Sequence, residues 1–220
     1  MERQNKPIAI STQALKRMHY YLQLLKTLQQ NDTKIVSAPV LAKNFGWTEI
    51  QVRKDLAAIS TSKGRPKAGF SVEELIYNME EALGYNSIDK AVLVGAGSLG
   101  SALLSYKGFE SYGIDIVAAF DSDESIVGEQ ICGKEILPAN KISEMSRRMK
   151  INIGIITVPA GQAQLVCDQL VAGGIQAIWN FAPVHISAPE DILVQNENMA
   201  ASLALLSKHL REKFALKNEA

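Results

Sequence analysis

The chain has 220 residues, 47% of them hydrophobic and 21% charged, the composition of a globular protein of one or two domains. No apolar run reaches the ~20 residues that a membrane helix needs, and the opening MERQNKPIAI lacks the layout of a secretion signal. Two cysteines, Cys132 and Cys167, make neither a disulfide scaffold nor a thiolate metal site, so the expectation is a cytoplasmic protein with no membrane partner and no metal.

A net charge of zero hides a split. Residues 1–70 hold 12 Lys/Arg against 4 Asp/Glu, a difference of +8, and residues 71–220 hold 11 against 19, a difference of −8. A basic first third fits a segment facing a polyanion such as nucleic acid, or a solvated face with no partner.

The first predicted element is an amphipathic helix over 12–30, with Leu15, Met18, Leu22 and Leu25 in a stripe widened by Tyr21 and Leu28. Asn31-Asp32 ends it. Ser37 is placed to cap a short second helix holding Val40, Leu41 and Phe45, stopped by Gly46. Thr48 and Gln51 fit a capping box opening a third helix over 49–60, with Val52, Leu56 and Ile59 buried. Two short helices about a glycine turn, with Ala42, Gly46 and Val52 spaced for close packing, form a helix-turn-helix pattern. The third helix would read DNA: Arg53 and Lys54 suit phosphates or guanine edges, and Gln51 an adenine edge. Lys63, Arg65 and Lys67 follow among glycines and a proline, as in a wing. A capping box at Ser71 opens a helix to Leu83, and Gly84 closes it at the join between domains.

From Lys90 the pattern changes. Ala91–Val94 reads as a buried parallel strand, followed at once by Gly95-Ala-Gly97-Ser98-Leu99-Gly100 and a helix to Tyr106. Between a strand and a helix, this glycine spacing suits a pyrophosphate resting on the helix N-terminus. A second strand over 115–120 ends in Asp121, 21 positions after Gly100, where an Asp accepts from adenosine ribose hydroxyls and repels the extra phosphate of NADP. The cofactor read here is therefore NADH/NAD+. Strands over 153–158 and 175–180, joined by a helix over 161–172, complete an alternating α/β pattern expected to form a doubly wound parallel sheet. Their exits place Thr157, Pro159, Asn180, Phe181, Ala182 and Pro183 where a nicotinamide would lie. A last helix over 198–216 carries Met199, Leu203, Leu206, Leu210 and Phe214 in a stripe, to dock on a partner or on its own sheet.

A dehydrogenase needs a proton donor or acceptor beside the nicotinamide. Of three histidines, His185 alone lies near a plausible loop, and about 40 residues after Asn180 are too few for a substrate domain. No catalytic residues are assigned. The two alternatives are a small NAD-dependent oxidoreductase with an incidental basic N-terminus, and a CoA- or nucleotide-binding module.

Gln51-Val-Arg-Lys-Asp-Leu56, Val94-Gly-Ala-Gly-Ser-Leu-Gly100, Tyr106-Lys-Gly-Phe109, Ala118-Ala-Phe-Asp-Ser-Asp123, Thr157-Val-Pro159 and Asn180-Phe-Ala-Pro-Val184 together resemble the Rex family of redox-sensing transcriptional repressors, nearly end to end. The resemblance implies a homodimer on two-fold operator DNA, released when NADH binds. It implies a winged helix-turn-helix domain (1–85), a Rossmann NAD(H)-binding domain (86–197) and a domain-swapped terminal helix (198–220). It also assigns Arg17, Tyr106, Asn198 and Met199 to the switch. Three stretches depart from the family pattern. They are Ala57-Ala-Ile-Ser60 after the reading helix, Pro66-Lys-Ala-Gly-Phe70 at the end of the wing, and Asn198 where an Asp is common.

Overall fold

The computed structural model describes residues 10–60 and 69–218. The chain divides into two compact units, Met1–Ser87 and Ile88–Ala220.

The first unit begins with α1 (Thr12–Gln30), whose first turn is capped by Ser11 accepting from the Ala14 amide. Its stripe is buried at Met18, Tyr21, Leu22 and Leu25, against α4. Strand β1 (Ile35–Val36) leads to α2 (Ala38–Phe45), ended by Gly46 in the left-handed region at φ +66°. Ser37 precedes α2 but makes no side-chain cap, and Val40 points to solvent at 45% exposure while Ala38, Leu41 and Ala42 form the buried face. The apolar stripe of so short a helix is one turn wide, so a single misplaced position shows.

Helix α3 (Glu49–Ile59) buries Val52, Leu56 and Ile59 as expected, and buries Asp55 as well. Thr48 Oγ1 accepts from the Gln51 amide, but the Gln51 side chain turns forward to Asp55 at 3.2 Å, so half of the expected capping box forms. Strand β2 (Phe70–Ser71) pairs antiparallel with β1, Val36 opposite Phe70. Lys63, Arg65 and Lys67 lie outside the described residues. Helix α4 (Val72–Leu83), capped by Ser71 accepting from the Glu74 amide, closes the unit with Leu75, Ile76 and Met79 buried, and Gly84 ends it.

The second unit is one sheet with helices on both faces. Its strands are β3 (Asp89–Val94), β4 (Ile114–Asp121), β5 (Gln130–Ile131), β6 (Lys134–Pro138), β7 (Ile153–Ile156), β8 (Ala177–Asn180) and β9 (Leu193–Asn196). Their order is β5-β6-β4-β3-β7-β8-β9, parallel except for the antiparallel edge strand β5. Alternate residues of β3 explain the continuous apolar run. Val92 and Val94 pack into a cluster with Val166 and Leu170 of α7 (Ala160–Ala172) and Ile142 of α6 (Ile142–Met149). Ala91 and Leu93 pack on the opposite face with Leu104 of α5 (Ser98–Ser105). The 130–149 segment, left unassigned by the sequence, supplies β5, β6 and α6. Helix α8 (Met199–Asn218) follows β9.

One packing defect offers a stability test. Ser146 of α6 is fully buried and its Oγ has no hydrogen-bond partner among the described residues. Ser146→Ala removes an unpaired hydroxyl and improves helix propensity. It is expected to stabilise the chain by about 1 kcal/mol, seen as a rise of about 2–4 °C in Tm.

Candidate functional site

Strand order reverses between β3 and β7, the topological switch point where open α/β sheets bind ligands. A crevice of about 620 Å³ opens there, floored by the glycine loop and walled by Asp121, Thr157, Pro159, Phe181 and Pro183.

The three glycines of the loop do different work. Gly95 sits at φ +102°, and a Cβ there would meet the Thr157 carbonyl at 2.9 Å. A Cβ on Gly100 would lie 1.9 Å from the Gly95 oxygen, so α5 reaches β3 only with glycine at that place. Gly97 is different: its φ is ordinary, at −63°, and a Cβ there meets nothing within 4 Å. The fold requires Gly95 and Gly100. Gly97 leaves room over the start of α5, which has no side-chain cap, and free first-turn amides with a positive dipole end suit an anion there.

Asp121 ends β4 beneath this loop. Its Oδ2 accepts from the Ala96 amide at 2.6 Å and its Oδ1 from the Asp123 amide at 2.9 Å. The carboxylate is thus oriented by backbone, and each oxygen keeps a lone pair for a ligand hydroxyl. Thr157 donates its hydroxyl proton to the Gly95 oxygen at 2.7 Å, with the Val94 oxygen at 3.0 Å, tying the β7 exit to the glycine loop. Phe181 lines the crevice with its ring 4.4 Å from that of Trp179.

Two of the expected cofactor residues face inward instead. Asn180 is fully buried; it donates to Val184 and Asn196 oxygens, both at 2.8 Å, and accepts from the Ala182 amide at 3.0 Å. Ala182 is buried beside it. These residues shape the 180–184 turn that presents Phe181 and Pro183. Ser98 is exposed at the first turn of α5, Leu99 is half-buried, and Gly100 is covered. Among the described residues no cluster of His, Cys, Asp or Glu could hold a metal ion, and no helix is long and apolar enough to cross a membrane.

In the first unit, Arg53 and Lys54 stand exposed on α3, Arg53 within 3.4 Å of Glu49. Asp55 faces the other way, 4% exposed, and four donors converge on it. Arg17 of α1 approaches with Nε at 2.7 Å and Nη2 at 2.9 Å, Tyr21 with its hydroxyl at 3.0 Å, and Gln51 with Nε2 at 3.2 Å. Burial pushes the Asp55 carboxyl up. Hydrogen bonds from Arg17 and Tyr21, the Arg17 charge and the Gln51 bond outweigh it, so its pKa lies below the usual carboxylate value. Sequence reasoning missed Asp55, because its partners Arg17 and Tyr21 stand 38 and 34 positions away.

The expected switch residues are placed as follows. Arg17 is held by Asp55 within its own unit. Tyr106 is 57% exposed, its ring laid over Gly108 so closely that a Cβ there would lie 2.4 Å from it, and edge-on to Phe109 at 5.0 Å. Asn198 caps α8, its Oδ1 accepting from the Ala201 amide at 2.9 Å. Met199, Leu203, Leu206, Leu210 and Phe214 of α8 are 50–67% exposed, an apolar stripe left to solvent in the single chain.

Comparison with known proteins adds to this geometry. Residues 86–184 match the family description "CoA binding domain", and residues 9–57 match "Putative DNA-binding protein N-terminus". The chain is 40% identical to the redox-sensing transcriptional repressor Rex of Bacteroides fragilis over 89% of each chain. It is 38% identical to that of Treponema denticola, over 97% of this chain and all of the relative. The crystal structure of RSP, a Rex-family repressor, with β-NAD+ and operator DNA superposes with a TM-score of 0.87 at 33% identity, covering 95% of this chain and 96% of that one. RSP with β-NADH superposes with a TM-score of 0.81 at 32% identity, covering 96% and 99%.

Proposed function

The chain belongs to the Rex family of redox-sensing transcriptional repressors, and from that premise we propose that it binds operator DNA and is released when NADH occupies its crevice. One observation carries this reading. A single chain joins a helix-turn-helix unit, exposing Arg53 and Lys54, to a dinucleotide crevice whose only titratable lining group, among the described residues, is Asp121. A site that senses a cofactor needs no proton donor beside the nicotinamide, whereas a dehydrogenase does. We read the protein as a regulator without catalytic activity, acting in the cytoplasm, where its DNA partner lies.

In this reading Gly97 and the first turn of α5 hold the pyrophosphate and Asp121 the adenosine ribose. Phe181 and Pro183 face the nicotinamide, with Thr157, Asn180 and Ala182 bracing the loops. Residues 1–85 are the DNA-binding domain and 86–197 the cofactor domain. The exposed stripe of α8 supports exchange of 198–220 between two copies, which matches the two-fold symmetry of an operator. NADH acts by population shift: it binds the arrangement unable to hold DNA better than the competent one, each tenfold preference being worth about 1.4 kcal/mol.

The test is operator binding by the purified protein, titrated with NADH and with NAD+ separately. Release by NADH and not by NAD+ is the expected result; DNA binding indifferent to both overturns the reading. Adding CoA checks the match to CoA-binding domains, and CoA should not displace NADH. Two further outcomes are expected. Asp121→Ala should weaken NADH binding about 10- to 100-fold, the worth of one charged hydrogen-bonding group, and narrow the preference over NADPH, read by fluorescence titration. Deletion of 198–220 should leave a monomer in sedimentation.

A further inference from the structure

Gln51 is the third residue of α3, at the N-terminal end where reading helices touch base edges. A free glutamine amide offers its oxygen or its nitrogen to a base with equal ease. Here its Nε2 lies 3.2 Å from Asp55 Oδ1. A carboxylate accepts and cannot donate, so only the nitrogen end of the amide can occupy that contact. Asp55 cannot swing away: Arg17 holds both of its oxygens and Tyr21 donates to Oδ2. The outward presentation of Gln51 is therefore one oxygen acceptor and the remaining N–H.

We propose that Asp55 is a positioning residue for base recognition, and that, clamped by Arg17 and Tyr21, it makes Gln51 a reader of adenine that rejects guanine. Adenine offers an amino donor and an N7 acceptor in the major groove, matching both presented atoms of Gln51. Guanine offers two acceptors at N7 and O6, which set an oxygen against the Gln51 oxygen. An unclamped glutamine can turn its whole NH2 group toward guanine; the bond to the carboxylate disfavours that rotation and keeps the oxygen among the presented atoms. The inference rests on the proposed DNA binding and adds which base one residue selects and why.

The experiment selects retained duplexes from a randomised pool with the full chain in NAD+, and repeats it with Gln51→Ala and Asp55→Asn. The intact protein should show one position per half-site where adenine exceeds guanine by roughly 5- to 150-fold, the range of a bidentate contact. Gln51→Ala should level that position and leave the others. Asp55→Asn turns an amide nitrogen toward Gln51, lets it flip, and should abolish or invert the adenine preference at the same position. Gln51→Ala is a substitution at a helical site and stays informative if Asp55→Asn folds poorly. Unchanged selection by Gln51→Ala, or a levelled position that had favoured guanine, overturns the inference alone. Retention of no duplex by the intact chain overturns the repressor reading and the inference with it. A uniform loss of affinity with every base preference kept would mean that Asp55 only holds the helices together, and would also overturn it.

Discussion

Gly97→Ala should fold as the parent does yet bind NADH about 10- to 100-fold more weakly, while Gly100→Ala should lose both binding and stability. The contrast comes from what each missing Cβ would touch. At Gly97 it meets no protein atom within 4 Å and the backbone is in an ordinary region, so the Tm should stay within about a degree. The added methyl fills the space over the α5 N-terminus and displaces an anion from its amides. Losing one charge-assisted hydrogen bond costs about 1.5–3 kcal/mol, the stated fall in affinity. At Gly100 the Cβ lies 1.9 Å from the Gly95 oxygen. That neighbour is backbone and cannot rotate away, so α5 must move off β3 at a cost of about 3 kcal/mol or more. Thermal unfolding and NADH fluorescence titration on the two variants check both halves. Equal effects at the two positions would mean that Gly97 serves the fold and not a ligand.

Arg17→Ala has the largest expected effect in the first unit. It strips a buried carboxylate of its charge partner, and breaking a buried ion pair costs about 3–5 kcal/mol. The Arg17 side chain is 20% exposed, so water recovers part of that and about 2–3 kcal/mol is expected from thermal or urea unfolding. Asp55→Ala combined with Arg17→Ala should cost far less than the sum of the single changes, because no orphan charge remains. The pH dependence follows from the depressed pKa of Asp55. A carboxylate more acidic in the folded state than in the unfolded chain stabilises the fold at pH above its unfolded pKa of about 3.9. That stability is lost as pH falls below about 4, through the lower folded value. Arg17→Ala removes a principal cause of the depression, so acid unfolding should begin at higher pH in the variant. Coincident acid profiles would assign the parent's acid loss to other carboxylates.

The same network decides what Gln51 can do. Read along the chain, Gln51 suits a capping box and an adenine edge. In the folded unit Gln51 and Arg17 both turn to Asp55. An Asp on an amphipathic helix looks like a solvated position until the helix carrying its partners is packed beside it.

Much of the protein was legible without coordinates because its determinants are local. The stripe of α1, the caps at Thr48 and Ser71, the glycine stops at Gly46 and Gly84, and the strand–glycine loop–helix of 91–105 each depend on residues within a few positions. Asp121 at a strand end 21 positions after Gly100 carried the cofactor reading. The strands β5 and β6 were not legible, since two and five residues show no periodicity and gain their stability from pairing with each other and with β4. Nor was the burial of Asn180, which depends on Asn196 of the adjacent strand. Local spacing by itself determined the helices α1–α5, α7 and α8, the strands β3, β4, β7 and β8, and the glycine loop between β3 and α5. The tertiary structure alone decided which polar groups are spent inside the protein and which stay free for a ligand, because a hydrogen bond acts over about 3 Å in space whatever its separation along the chain.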